Sequence, residues 1–344
     1  MKGQYRTFVC DFETTVYKGQ TNTEVWAAAC VEMFTEDVKI FHSIDAQLDY
    51  FVSLNSNIIA YYHNLKFDGS FWLWYLLNVK NFKQAVTHNS QNPLDVSWLN
   101  NTTMANNTFK YSISDRGMWY TITIKIKGKI IELRDSLKLL PFSVKRIGKA
   151  FKTKHQKLEM EYTGFRYAGC TITEDEKKYI ANDVLVVKEG LETMYNQGQN
   201  KLTIGSCCLS EYKAICKASL KNDLSYEEMF PDVYDIELKD PVHTYPTAGD
   251  WIRKSYRGGW CYLVKGKEGK RFKNGTTADV NSLYPSMMHS ESGNEYPIGE
   301  PRFWKGNEIP NDALKEGRFF FVRIKTRFYL KPNKLPFIQI KGSL

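Results

Sequence analysis

Cys10-Asp11-Phe12-Glu13-Thr14-Thr15 is the stretch on which the fold and the chemistry of this chain turn. It is preceded by Phe8-Val9-Cys10, a short apolar run of the kind that forms a buried strand. Side chains alternate along a strand, so Asp11 and Glu13 point to one side. Two anions held together repel unless a cation lies between them. Hard divalent ions with oxygen preference, Mg²⁺ or Mn²⁺, suit such a pair. The plainer alternative is a solvated strand end, and Asp-x-Glu alone does not separate the two. Two acidic motifs farther along the chain favour the metal.

The length of 344 residues suggests about two domains. Apolar residues make up 42% and aromatic residues 14%, enough for a packed core, which excludes a disordered chain. The net charge of +9 favours a polyanionic partner. Seven cysteines without a Cys-x-x-Cys pair argue against a disulfide framework or a zinc site, and Cys207-Cys208 read as core residues. No signal peptide and no long apolar run is visible, so the expectation is a soluble protein of a reducing compartment that has no membrane partner.

Strands are expected at 25–33 and 38–44, a helix from Asp45 to Leu54, and an apolar strand from Asn57 to Tyr62. The last runs into His63-Asn64-Leu65-Lys66-Phe67-Asp68-Gly69, and Phe71 to Leu77 reads as a buried helix. Asp68 thus lies near a helix start, where the dipole favours a carboxylate. Capping is the simpler role for it. Asn64 and Phe67 beside it are suited to the sugar and base faces of a strand, although Phe67 also suits simple packing. Residues 84–115 are polar and rich in Asn, Ser and Thr, and read as a long loop or insertion. Residues 118–126 alternate, Lys127-Gly128-Lys129 turns, and Ile130 to Leu133 returns as a hairpin. From Lys125 to Lys157 there are eleven Lys or Arg against Glu132 and Asp135, interleaved with apolar residues, which suits a folded surface holding a nucleic-acid strand.

Thr173-Glu174-Asp175-Glu176 is a capping-box signature, followed by Ile180, Val184, Val187, Leu191 and Met194 at helical spacing. Tyr179 and Asp183, four apart, share an adjoining face. Thr203 to Leu220 suggests another helix, with a domain boundary somewhere in 200–250. Tyr256-Arg257-Gly258-Gly259-Trp260 brings two glycines that allow close backbone approach. A basic stretch, Lys265 to Lys273, and a strand then lead to Asp279-Val280-Asn281-Ser282-Leu283-Tyr284-Pro285. Strand-like runs follow at Phe319 to Val322 and Phe337 to Ile340.

Asp11, Glu13, Asp68 and Asp183 would meet from a strand end, a helix start and a helix face. Such a set can hold two metal ions, one activating a water and the other stabilising the leaving oxygen of an in-line displacement at phosphorus. Tyr179, one turn from Asp183, is placed to orient that water. A lysine of the basic segment would neutralise the phosphate. The expected chemistry is phosphodiester hydrolysis.

Asp-x-Glu, Asn-x-x-x-Asp and Tyr-x-x-x-Asp in this order resemble the three motifs of a proofreading 3′→5′ exonuclease domain with an RNase H-like fold. More narrowly, the chain resembles the protein-primed family B DNA polymerases of bacteriophages. The strings Asp135-Ser136-Leu137-Lys138, Lys157 with Tyr162, Tyr256 to Gly259, and Asp279 to Pro285 carry that likeness along essentially the whole chain. The resemblance implies that Thr14, Asn64, Phe67, Ser136 and Leu137 contact single-stranded DNA, and that Lys157 is catalytic beside the scissile phosphate. It implies that Tyr256, Gly258 and Gly259 help pass a primer end between two sites. Asp279 would be the first palm carboxylate for the polymerase metals, and Tyr284 the side chain that excludes a ribose 2′-hydroxyl.

On this resemblance the fold is α/β (α+β): an RNase H-like exonuclease over 1–200, a helical connection over 201–255, and an incomplete palm over 256–344 that begins a terminal-protein-contacting insertion. The cofactors are Mg²⁺ or Mn²⁺, two per exonuclease site. The partners are single-stranded 3′ ends, primer-template DNA, a terminal priming protein and a second polypeptide carrying fingers and thumb, in the cytoplasm of a bacterial host. The fingers motif and the second palm carboxylate of the family are missing, since the only later Asp is Asp312. The expectation is therefore an N-terminal part of a polymerase, truncated, split or encoded in two pieces. The alternatives are an idle module that binds DNA or terminal protein, and a cellular exoribonuclease with the same four acids.

Overall fold

The computed structural model describes residues 5–15, 17, 19–88, 96–160, 165–219, 225–238, 246–256, 259, 263–264, 266–329 and 331–332. The chain divides into two compact units, Met1–Tyr212 and Lys213–Leu344.

The first unit is built on an eight-stranded sheet. Its strands are β1 (Tyr5–Thr14), β2 (Val25–Glu32), β3 (Val38–Phe41), β4 (Asn57–Tyr62), β5 (Lys83–Gln84), β8 (Thr108–Ile113), β9 (Trp119–Ile126) and β10 (Lys129–Asp135), in the order β3-β2-β1-β4-β10-β9-β8-β5. A separate two-stranded ribbon joins β6 (Val86–His88) to β7 (Val96–Trp98). β1 pairs antiparallel with β2 but parallel with β4, and β4 pairs parallel with β10. The β9–β10 hairpin turns at Lys127 and Gly128, both at positive φ (49° and 75°), a two-residue turn whose twist matches the strands it joins.

Helices cover both faces. α1 (Ile44–Ser53) and α2 (Leu65–Asn78) lie on one, where Phe8, Cys10 and Phe12 of β1 pack with Leu48, Phe51, Trp72 and Leu76. α3 (Val144–Phe151) and α4 (Glu174–Asn196) lie on the other, where Val9, Ala27, Ala29 and Tyr61 meet Ile147, Ile180, Val184, Val187 and Leu191. Asp11 and Glu13 share the parity of Val9, so they emerge on the α4 side. α4 starts in the capping box expected for it: Thr173 Oγ1 accepts from Glu176 N, and the Glu176 carboxylate accepts from Thr173 N at 2.8 Å.

α3 crosses α4 at a glycine. A Cβ on Gly190 would stand 2.8 Å from Ile147 Cγ2 and 3.1 Å from Leu140 Cδ1. Gly190→Val is expected to cost about 1–3 kcal/mol of unfolding free energy in a denaturant titration. An unchanged midpoint would mean the two helices separate without penalty.

Residues 84–115, expected as a loop or insertion, contain β8, which pairs antiparallel along β9, and both strands of the β6–β7 ribbon; residues 89–95 lie outside the described ones. Only Phe109 of β8 is fully buried, so the strand is held by its neighbour and its sequence gives little sign of it. Cys207 is buried as expected but Cys208 is exposed, on α5 (Ile204–Ser219), and the described cysteines are all free.

Among its described residues the second unit holds three short α-helices, α6 (Tyr226–Met229), α7 (Ala248–Ser255) and α8 (Leu283–Met288). Within it the Tyr234 ring lies over Gly249, the Trp251 and Phe303 rings meet edge to face, and Gly299 N donates to Met229 O at 2.7 Å. The strands expected before Asp279 and at Phe319 to Val322 are not formed; among the described residues these segments have no ladder partner, and the second is exposed. The run Phe337 to Ile340 lies outside the described residues. No helix among the described residues is long and apolar enough to cross a membrane.

Candidate active site

The parallel registers decide where the chemistry gathers. Cys10 of β1 and Asp135 of β10 both pair with Tyr62 of β4, so three strands end at one edge of the sheet. Ligands in such sheets bind beyond the carboxyl ends of the strands. On β1, just past the end of its pairing with β4, come Asp11 and Glu13, with a register shift against β2 between Glu13 and Thr14. Beyond β4 come His63, Asn64 and α2.

Asn64 sits in the left-handed region at φ 73° and makes no side-chain cap. The capping is done from a distance. Asp135 Oδ1 accepts from the backbone N–H groups of Asn64 (3.2 Å), Leu65 (3.3 Å) and Leu137 (3.1 Å). Asp68 is thereby released from the capping role considered for it and lies in the first turn, 2% exposed.

Asp11, Glu13 and Asp183 each offer a carboxylate oxygen within 4.8 Å of the others. Asp68 faces the same cluster. Burial pushes its carboxyl up to about 7; backbone hydrogen bonds from Asp68 itself and Phe12 oppose this, and the charge on Glu13 adds to it. Asp11 is held well above the usual carboxylate range by burial, then by the charges of Asp68, Glu13 and Asp183. Asp183 is raised by burial and partly relieved by Lys157. Oδ1 of Asp68 and Oδ1 of Asp183 are buried with no hydrogen-bond donor. Buried anionic oxygens without donors are costly, and a divalent cation is the partner that would satisfy several at once.

Lys157 closes the cluster. Its ammonium pairs with Asp183 Oδ2, donates to the Tyr179 hydroxyl at 2.8 Å, and lies over the Tyr179 ring. Burial alone would lower its pKa; the bonds to Asp183 and Tyr179 outweigh that and keep it charged. A groove of about 720 Å³ runs past this end, lined by His63, Ser143, Lys145, Lys157, Met160 and Tyr179 among others.

The structure therefore brings Asp11, Glu13, Asp68, Asp183, Tyr179 and Lys157 to one edge. Phe67 is exposed on the first turn of α2, Asn64 is exposed beside it, and Thr14 and Leu137 are half-buried. Ser136 is fully buried, and its hydroxyl donates to Tyr62 O (3.2 Å) and faces His63 Nδ1 (2.9 Å). His63 received no role from sequence, yet it lines the groove, with its ring held between Ser136 and the Phe142 carbonyl (2.7 Å). Its place beside the Asn-x-x-x-Asp motif was the available signal. In the second unit Tyr256, Gly259, Asp279 and Tyr284 are exposed, Asp312 pairs with Lys315, and Gly258 lies outside the described residues.

Against known proteins, the family of DNA polymerases type B, organellar and viral, matches residues 51–171 and 165–344. The DNA polymerase of Bacillus phage M2 is 33% identical over 345 residues, covering 98% of this chain and 53% of that protein. That of Streptococcus phage Cp-1 is 28% identical over 349 residues, 97% of this chain and 53% of its own length. The chain thus spans about half the length of these relatives. Phi29 DNA polymerase with primer-template DNA and incoming nucleotide superposes with a TM-score of 0.66 at 30% identity, over 90% of this chain and 48% of that one. The same enzyme with single-stranded DNA gives 0.63 at 29% identity, over 90% and 49%.

Proposed function

Because the chain belongs to the organellar and viral type B DNA polymerases and is homologous to the protein-primed phage enzymes of the phi29 kind, we propose that its first unit is an RNase H-like 3′→5′ exonuclease acting on single-stranded DNA. The observation that carries this is the meeting of Asp11, Glu13 and Asp183 within 4.8 Å beside buried, donorless oxygens of Asp68 and Asp183. These four residues would hold Mg²⁺ or Mn²⁺, which when bound supply positive charge at phosphorus and acidify water.

The chain's own groups do the rest. Lys157, charged and anchored on Asp183, presents its ammonium to a phosphate and fixes the Tyr179 hydroxyl, which orients a water for attack. Asn64 and the exposed Phe67 ring stand where the terminal sugar and base would rest. Asp135 holds the start of α2, and so Asp68, in register with β1.

On this reading residues from 256 onward begin a palm. Asp279 is one of its metal-holding carboxylates and Tyr284 guards against ribose. Tyr256, Gly258 and Gly259 help transfer the primer end, and a terminal protein and a second polypeptide are partners in the cytoplasm of a bacterial host. The test uses the purified 344-residue chain with a 5′-labelled oligonucleotide and Mg²⁺ or Mn²⁺. The expected result is a ladder shortening from the 3′ end, abolished by EDTA, with no extension of a primer-template when dNTPs are added. Intact oligonucleotide would overturn the nuclease reading, and templated incorporation would overturn the claim that residues 1–344 do not polymerise alone.

A further inference from the structure

Three aromatic rings from two separate segments of the first unit meet one another. Tyr17 follows β1, and Phe165 and Tyr167 precede α4. The Tyr17 and Phe165 centroids are 4.9 Å apart, edge to face, and those of Phe165 and Tyr167 are 5.7 Å apart, stacked. Despite this contact the three remain 42%, 59% and 51% exposed. Large rings that pack on one another yet stay open to solvent have faces to offer.

Their position is pinned. Arg166, between the two later rings, is bonded to the buried Glu176 in the first turn of α4, and its guanidinium lies over the Trp26 ring. Its charge is thus committed inward, while its neighbours stay on the surface. Glu176 is seven residues before Asp183 on the same helix, which is about 10 Å of rise. Tyr17 is four residues past Glu13, at most about 14 Å. Stacked nucleotides advance about 3.4 Å each, so Tyr17 lies within about four nucleotides of Glu13.

We propose that Tyr17, Phe165 and Tyr167 form a base-stacking platform for the single strand that feeds the carboxylate cluster, a role that rests on the exonuclease reading above. Every base has a π-face, so such a platform grips without reading sequence, as a nuclease that trims any 3′ end requires. The chain's excess of positive charge suits the same polyanion.

The experiment compares the full chain with Phe165→Ala/Tyr167→Ala and with Tyr17→Ala. It measures Kd for a fluorescent dT10 by anisotropy in Ca²⁺, and KM for dT10 and for the dinucleotide in Mg²⁺. The double variant is expected to raise both the dT10 Kd and KM about tenfold or more. The dinucleotide, held chiefly by the carboxylate end of the site on this proposal, should move less than twofold. Phe165→Trp/Tyr167→Trp should restore dT10 binding, which a merely structural defect would not allow. Weakened dT10 binding supports the platform whether or not the wild-type chain cuts, so loss of the nuclease reading is seen separately. Unchanged dT10 binding in both alanine variants would overturn the platform.

Discussion

Asp11→Ala and Asp183→Ala are each expected to lower 3′→5′ hydrolysis of single-stranded DNA by about 10³-fold or more. The double variant should be scarcely worse than either. Non-additivity follows from the geometry: oxygens within 4.8 Å of one another serve one cation cluster, and removing any of them disables the whole. The same variants should lose the rise in melting temperature that Mn²⁺ gives the wild-type chain. That second readout matters because it reports the site without relying on turnover. Lys157→Ala should retain metal-induced stabilisation while losing about 10²-fold in rate, since the ammonium meets the carboxylate edge and the phosphate without ligating a metal. Undiminished hydrolysis in Asp11→Ala would place the chemistry elsewhere and leave an idle DNA-binding scaffold as the better description.

Local signals made part of this site readable before any coordinates. Asp-x-Glu at a strand end, the strand at Asn57–Tyr62 and the Thr173 capping box are dictated by alternation, apolar runs and side-chain-to-backbone hydrogen bonds a few residues apart. Hidden from that reading were the features set by pairing across the chain. Asp135 caps a helix that begins 70 residues earlier in sequence. His63 gains its place only because Ser136 and Phe142 are carried to it by β10. β8 sits in an Asn-rich stretch with a single fully buried side chain, and pairing along β9, with β5 at its other side, makes it a strand. The partners of the buried Ser136 hydroxyl, Tyr62 and His63, are likewise set by pairing across the chain. Polar residues at a site edge divide into those that touch a ligand and those that hold the first kind, and burial separates them.

The same carboxylates make the metal-free protein sensitive to pH in an unusual direction. Asp68 ionises near 7 when folded and, in an unfolded chain, near the ordinary aspartate value of 3.8. The folded form therefore holds a proton that the unfolded form has released, and stability falls as pH rises from about 4 to 7. The full penalty, present above 7, is on the order of 4 kcal/mol, because each tenfold difference in proton affinity between the two states is worth about 1.4 kcal/mol. His63 acts in the opposite sense. Burial lowers its pKa, so it favours the folded state increasingly as pH rises through the ordinary histidine range. A bare stability profile would mix these with the raised Asp11 and Asp183, whereas subtracting Asp68→Asn from wild type cancels His63 and leaves Asp68 together with its charge coupling to Asp11. In EDTA the variant is expected to match wild type near pH 4 and to melt about 10 °C higher at pH 8. Adding Mn²⁺ at pH 8 should reverse that order, since the cation meets the buried oxygen in the wild-type chain and finds a neutral amide in the variant. A wild-type chain that outlasts Asp68→Asn in EDTA at pH 8 would show the Asp68 charge to be satisfied by the protein itself, and the case for a cation at this edge would lose its strongest physical support.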